Sequence, residues 1–431
     1  MSATGSIPAA EDPGIPINLP DMDDDLRERA LPIRPGDLLR LIGSDPELTP
    51  EERTKLSHLG EIVGGLFHSE FYDRLRELKE LYAPIDPDSD YLAIPDCSRE
   101  PTPEATQLFF DQFAATMIKA NYLELDHSVL RQAIAAPNET GLNFVSDFGM
   151  FEHLRVFARG FTHINRVART SRTRYRKRTV VLDAYQRMVV VIKFKEGKKL
   201  GTMVRSDAVY MRLFKDVPHV DMEMHLPEQS SKVRMRWIDR AQIASPLVFG
   251  LPALALKLAT ISFSPYILGG IMAGPISAGV KSFFGFQRAK EKHMSSVIRN
   301  LYYLTLANNA SVLTRLIDSA EEEEYKETML GYYFLWRASL HGGEALGRDH
   351  LDLHVEQFLN DRTGAEINFE VTDSLEKLAR LGLAIKRLDG TYQATPIDEA
   401  LALLDARWDE TFRADRHPSR TRQAASMLNK F

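Results

Sequence analysis

Apolar residues first fall into helical register at Asp37-Leu-Leu-Arg-Leu-Ile, a short amphipathic piece. Thr49-Pro50-Glu51-Glu52 then reads as a cap with proline at the first helical position. It starts a long helix over about 50–81, in which Leu56, Leu59, Val63, Leu66, Phe67, Phe71, Leu75 and Leu78 recur at steps of three and four. A second helix begins at Thr102-Pro103-Glu104 and runs to about Leu123, with Leu108, Phe109, Phe113 and Met117 on one face. The period then shortens. Leu154 to Arg159, Thr179 to Asp183, Arg187 to Lys195, Val209 to Phe214 and Val220 to Leu226 are short β-branched or alternating runs separated by turn-length gaps, which predicts a mostly antiparallel sheet.

From Ala241 to Phe286 the pattern changes again, to a run without Asp or Glu whose interior charges are Lys257 and Lys281. Ser264-Pro265 divides it into two segments, each about the ~20 residues that cross a bilayer core, which predicts a two-helix transmembrane hairpin. Lys232, Arg234, Arg236 and Arg240 on one flank and Arg288, Lys290 and Lys292 on the other place both ends on the cytoplasmic side. Gly270, Gly274 and Ala278 form a small-residue face that packs the two arms of the hairpin together or, as the alternative, makes a homo-oligomer contact.

Beyond the apolar run, 291–340 is strongly helical, and the tail has a pattern of its own. Helices at Leu351 to Leu359 and Val371 to Leu381 precede Ala384-Ile-Lys-Arg-Leu, the turn Asp389-Gly390 and Thr391-Tyr-Gln-Ala-Thr, the order of a winged helix. Its would-be recognition helix sets Glu370, Asp373 and Glu376 against Lys377 and Arg380, too little positive field to draw phosphate, so nucleic acid is disfavoured as a partner. The expected fold is therefore α+β: a disordered acidic arm (1–33), an α+β domain with a helical N-terminal part and a mostly antiparallel sheet (34–240), the hairpin (241–286), a helical region (287–340), a winged-helix-like module (341–412) and a tail (413–431).

Charge and cysteine content change this picture little. The chain of 431 residues has a formal charge of -6, so a basic partner-binding surface has to be local. Cys97 is the single cysteine, which excludes an internal disulfide framework and fits a reducing compartment. Glu11, Asp12, Asp21, Asp23, Asp24 and Asp25 make the first segment an acidic arm rather than an Arg-rich transit sequence.

Tyr82-Ala-Pro-Ile-Asp-Pro-Asp88, Leu213-Phe-Lys-Asp-Val-Pro218, Asp221-Met-Glu-Met224 with Pro227, the apolar run, Leu306-Ala-Asn-Asn-Ala310 and Tyr332-Tyr-Phe-Leu-Trp336 together resemble the transmembrane protein 143-like family over roughly 34–340. The resemblance implies a membrane protein without an established activity, and supplies no catalytic residues. Its eukaryotic members are mitochondrial; the acidic arm points instead to a multi-pass protein of a bacterial inner membrane.

Chemical motifs are sparse. Asp86-Pro-Asp88-Ser-Asp90 spaces carboxylates like the start of a calcium loop, but Tyr91 and Cys97 stand where that loop needs Gly and Glu. His58, Glu61, His68 and Glu70 share the first long helix without a metal-ligand spacing. The segment from Gly274 to Ser282 is one residue longer than a phosphate-binding loop and follows no predicted strand. Asp318, Glu321 to Glu324 and Glu327 read as a solvated acidic face. No cofactor or metal is expected. One run stands out: Arg166, Arg169, Arg172, Arg174, Arg176, Lys177 and Arg178 lie within thirteen positions of an acidic chain. Beside a membrane segment it predicts contacts with anionic lipid, with nucleic acid as the competing partner and a solvated loop between strands as the alternative without a ligand. The reading of function is a membrane-anchored scaffold or interaction protein with an unidentified protein partner; the alternatives are an enzyme acting on a lipid or small molecule, built around His153, Arg155 and Arg159, and a pore or transporter subunit.

Overall fold

The computed structural model describes residues 28–90, 101–126, 143–168, 178–197, 204–219, 303–340 and 345–411, with short pieces at 128, 130, 222, 225–226 and 231–234. Helix α1 (Pro35–Gly43) leads into α2 (Pro50–Tyr82). Thr49 and Glu52 close a reciprocal capping box at the start of α2: the Thr49 hydroxyl accepts from the Glu52 amide and the Glu52 carboxylate accepts from the Thr49 amide. Helix α3 (Pro103–Lys119) follows, capped by Thr102. It ends well short of Leu123, because the chain turns at Ala120 and Asn121, the latter at positive φ, to enter β1 (Leu123–Glu124).

The central sheet has five strands in the order β1, β3 (Phe151–Ala168), β4 (Arg178–Phe194), β5 (Val209–Pro218) and β7 (Thr305–Asn308), all antiparallel, while β2 (Asn143–Ser146) and β6 (Ser231–Arg234) form a separate pair. Two predicted strands, Thr179 to Asp183 and Arg187 to Lys195, are one continuous β4. Of the residues between them, Ala184 and Tyr185 are buried and Gln186 is exposed on an unbroken strand. Met188-Val-Val-Val-Ile192 is uninterrupted by polar residues because both of its faces are covered. Val189 and Val191 meet the helices together with Phe157, Val209 and Met211, whereas Met188, Val190 and Ile192 pack with Leu154, Val156 and Phe214 on the opposite face. Val220 to Leu226 is not a strand in its described residues: Met222 and His225 sit in short helical turns.

Helix α4 (Ala310–Ser339) begins only after β7, so the helix expected from 291 onward gives way to a strand at 305–308. Asn309 makes the corner at φ 47, a costly conformation for a non-glycine residue. Its amide donates to the Met211 carbonyl, its side-chain oxygen accepts from the Met211 amide, and its side-chain nitrogen donates to Asp88. Helix α4 is the axis of the molecule, with α1, α2, α3 and the sheet packed around it. After it, Leu346 bridges to Tyr392, α5 (Arg348–Thr363) and α6 (Val371–Leu381) follow, and β8 (Ala384–Lys386) and β9 (Tyr392–Ala394) close a hairpin before α7 (Ile397–Thr411). This element order is that of a winged helix. Gly331 on α4 is the point of closest approach: a Cβ there would run into Ser374 of α6, whose hydroxyl donates to the Glu327 carbonyl.

The expected transmembrane hairpin at 241–286, with Gly270, Gly274, Ala278 and Lys257, lies outside the described residues. Among the described residues no helix is long and apolar enough to cross a membrane. The long ones, α2 and α4, carry charges along their length and bury apolar stripes against protein, as amphipathic helices of a folded core do. The fold class is corrected accordingly, to N-terminal helices, a five-stranded antiparallel sheet and C-terminal helices. The membrane-anchored scaffold function, the multi-pass inner-membrane location and the lipid partners rested on that hairpin and fall with it, while the small-residue face of Gly270, Gly274 and Ala278 lies outside the described residues.

Candidate functional site

The largest departure from the sequence pattern is at the acidic run of α4. Asp318 and Glu322 are exposed, as a solvated face requires, and Glu321 pairs with His68 of α2. Glu323, Glu324 and Glu327, however, are each no more than 3% exposed. Three buried carboxylates cannot stay ionised without cations, and the fold brings the cations from distant segments. Glu323 accepts from Lys326 at 2.8 Å and lies 3.6 Å from Arg159 of β3. Glu324 accepts from Lys119, at the end of α3, at 2.5 Å. Lys377 of α6 enters between Glu324 and Glu327, with Asp373 as a third partner 2.8 Å away. Burial alone would push the Lys377 ammonium down, but Glu327, Glu324 and Asp373 together hold it above its ordinary value.

Glu327 is the extreme case. Burial drives its carboxyl up, Lys377 and the Asn121 side chain pull it back by donating to its two oxygens, and it settles at about 7. A folded-state value above the ordinary 4.5 means that the folded chain keeps a proton that the unfolded chain releases. That contribution is fully present below 4.5 and lost as pH rises through about 7. Glu327→Gln should therefore flatten the pH dependence of unfolding. The stability difference between wild type and variant is expected to change by roughly 3 kcal/mol at most between pH of about 4 and 8, read from urea titrations at each pH. Parallel curves for the two proteins would exclude a perturbed Glu327.

The N-terminal arm is tied into the same network. Glu28 bridges in parallel to Ile367, Arg29 pairs with Glu370, the Leu31 amide donates to Glu323 and the Leu31 carbonyl accepts from Lys326. The Glu28 carboxylate accepts from the amides of Ala30 and Phe161, and burial raises its pKa despite those bonds. A shallow pocket lies here, lined by Glu28, Asn121, Arg159, Phe161 and Tyr185 among others. Burial raises the Tyr185 hydroxyl to about 12. His153 and Arg155 point elsewhere: His153 packs at a tilt against Phe110 and its pKa is lowered by burial, and Arg155 forms a two-pronged ion pair with Glu124. The three residues named as an enzyme candidate therefore do not converge. Among the described residues no group of three His, Cys, Asp or Glu is arranged to hold a metal ion.

The basic run sits at the end of a ribbon. Strand β5 pairs with β4 from Ala184 to Lys193, while β3 and β4 continue together to Ala168 and Arg178. The six pairs from His163–Asp183 to Ala168–Arg178 thus form a two-stranded extension of the sheet. Arg166 and Arg178 lie in its strands; Arg169, Arg172, Arg174, Arg176 and Lys177 lie in the connection, outside the described residues, as does Cys97. His163 and Asp183 pair across the ribbon at 2.9 Å with both side chains well exposed. The Phe161 amide points outward to Glu28, so by strand alternation the amides of His163, Asn165 and Val167 point the same way. No described strand pairs with that edge beyond Phe161.

The winged-helix face is otherwise engaged. Helix α6 lies on α4, Lys377 is buried, and Arg380 pairs with Glu70 of α2 at 2.7 Å. The exposed positions of α6, Thr372, Glu376, Ala379 and Arg380, include a single cation, already paired with Glu70, which is too little positive charge to draw a DNA backbone. Three motifs that carry the family resemblance meet at one junction: the Tyr82 hydroxyl donates to the Val209 carbonyl beside the strand of Leu213, and Asn309 joins Asp88 to Met211.

The family described as protein of unknown function (DUF3754) matches residues 185–311, from the middle of β4 through β5 and β7 to the first turn of α4. It is the family linked to transmembrane protein 143-like proteins, so the resemblance stands over that span, which is under a third of the chain. No solved structure matches the chain.

Proposed function

We propose that the chain is a non-enzymatic binding protein that captures an extended acidic polypeptide along the β3–β4 ribbon. The observation that carries this reading is the ribbon itself, a two-stranded extension ending in seven basic residues, with an outward-facing row of amides on its β3 edge. An extended segment can add to such an edge as a further strand, with main-chain bonds supplying affinity and charge supplying selection. A carboxylate is the ligand group for which the edge already has a precedent: the Glu28 carboxylate occupies the Phe161 amide near the root of the ribbon. The charged groups of the buried network, by contrast, face one another rather than an open cleft, which favours a structural role for them.

Labelled poly-L-glutamate should bind the full chain, and weaken as salt is raised past about 0.15 M, where the Debye length falls to ~8 Å. Changing Arg172, Arg174, Arg176 and Arg178 together to Ala should reduce binding by about tenfold or more, at roughly 0.3–1 kcal/mol for each exposed charge. Fluorescence anisotropy would measure both. Stronger binding to polyuridylate or duplex DNA than to poly-L-glutamate would replace the acidic polypeptide with nucleic acid as the partner.

A further inference from the structure

We infer that residues 28–31 are a detachable strap seated in a peptide-binding groove, and that the groove also takes, from another molecule, an extended segment of the same pattern: a carboxylate first and a buried aliphatic side chain three positions on. The groove lies within the folded body, and the inference does not depend on whether the ribbon captures anything.

The strap is held as a bound peptide is held. It belongs to no helix or longer strand: a single parallel bridge joins Glu28 to Ile367, and the Asn368 amide donates to the Glu28 carbonyl. The Asn121 side chain donates to the Arg29 carbonyl at 3.2 Å, the Leu31 amide donates to Glu323 at 2.9 Å, and Lys326 donates to the Leu31 carbonyl at 2.7 Å. The bonds to Asn121, Phe161, Glu323 and Lys326 reach partners 92 to 295 positions away in the chain. The rest of the fold makes the groove, and the strap only fills it.

The side chains set the pattern. The Glu28 carboxylate accepts from the Phe161 amide at 3.1 Å; burial raises its pKa, and the amides that donate to it and the charge of Arg159 oppose that rise. A cation in its place would face Arg159. Arg29 pairs with Glu370 at 2.7 Å where both side chains are partly exposed, so that pair selects weakly. Leu31 is 3% exposed and belongs to the main apolar core. Acid and leucine therefore carry the selection.

The strap can leave because its departure strands no buried charge. Glu323 keeps Lys326 at 2.8 Å and Arg159 at 3.6 Å, and Asn121 keeps Glu327 at 2.8 Å. The ion pairs that line the groove are complete without the strap, so the steep cost of an unpaired buried charge does not arise. What it uncovers are the amides of Phe161 and Asn368, which water or an incoming segment can accept from.

A labelled peptide of residues 28–34 is titrated, by fluorescence anisotropy, into the full chain and into the full-length double variant Glu28→Lys, Leu31→Asp, whose own strap cannot seat. The variant should bind the peptide. Wild type should bind it roughly tenfold more weakly, because a tethered strap at an effective concentration of about millimolar competes with a peptide that binds the empty groove at about 0.1 mM. The same peptide carrying Leu31→Asp should lose binding. Equal binding by the two proteins, or no binding by a folded variant, overturns the inference. Tighter binding of the more acidic Leu31→Asp peptide overturns it as well and assigns the signal to the basic ribbon. If the variant does not fold, hydrogen exchange in wild type decides: the amides of Leu31 and Asn368 should exchange about tenfold or more faster than those of 329–335 in α4, which sustains a strap that opens by itself, whereas equal rates mean that it opens only when the whole molecule unfolds and overturn the inference.

Discussion

Lys377→Ala is expected to destabilise the protein by about 3–5 kcal/mol, the cost of removing one partner from a buried ion pair. The reason is asymmetric. Lys377 is the cation shared by Glu324 and Glu327, which are almost fully buried, and Asp373 at the rim, so its loss leaves two carboxylates in the core with their charge poorly compensated. Lys119 still reaches Glu324 and Asn121 still reaches Glu327, which keeps the variant from losing the whole network. Neutralising both ends should be milder than breaking one. Lys377→Met combined with Glu327→Gln is expected to recover at least ~1 kcal/mol of the loss, since the remaining buried charges are then better balanced. Chemical denaturation of the two variants measures both values. A Lys377→Ala cost under about 1 kcal/mol would show that the network is solvated and that its burial contributes little.

The sequence pattern carried the helices well, because each one buries a single stripe. The positions named in advance on α2, such as Leu56, Leu59, Val63, Phe67, Phe71 and Leu78, are buried as a set, and the hairpin after α6 lies where Asp389-Gly390 predicts it. Helix α3 is buried on more than a single stripe. Leu108 is exposed while Phe110, left off the predicted face, is buried beneath the sheet, because α3 has apolar neighbours on more than one side. The acidic run of α4 departs from its sequence pattern for a related reason. A glutamate run on a helix looks solvated when its partners are unknown, and here they are supplied by Lys119, Arg159 and Lys377, residues far apart in the chain. Two features of that run could have flagged it: Lys326 at i+3 from Glu323, and the apolar stretch Met329 to Trp336 that follows directly and demands burial on every side.

The correction to the membrane reading has the same root. Hydropathy measures how strongly a segment avoids water, and that preference alone does not distinguish lipid from the interior of a protein. The basic run has a firmer physical context than it had in the sequence, since its flanks are paired strands. The ribbon is not legible in the short alternating runs Leu154 to Arg159 and Thr179 to Asp183; only the register of the strands, Ala168 opposite Arg178, reveals one long antiparallel hairpin.

Phe113→Ala should cost about 3–5 kcal/mol, as large as the loss of the buried lysine but by a different mechanism. Phe113 is fully buried between the helical layer and the sheet, with its ring 5.7 Å from that of Phe109 and 5.9 Å, edge to face, from that of Phe157 on β3. Truncation removes apolar contact on both sides and leaves a cavity that the surrounding α2, α3 and β3 fill only in part. The two aromatic pairs add roughly 0.5–1.5 kcal/mol each to the burial term. Leu108→Ala, on the same helix but on its exposed side, should stay within about 0.5 kcal/mol and serves as the control. The consequence reaches the charge network, because α3 delivers Lys119 to Glu324 and the turn after it delivers Asn121 to Glu327. Loosening the seat of Phe113 should therefore increase hydrogen exchange at Asn121 and Tyr122 as well as lower the denaturant midpoint. If stability falls while exchange at those amides is unchanged, the helix and the network are held independently, and the sheet rather than α3 fixes the cations in place.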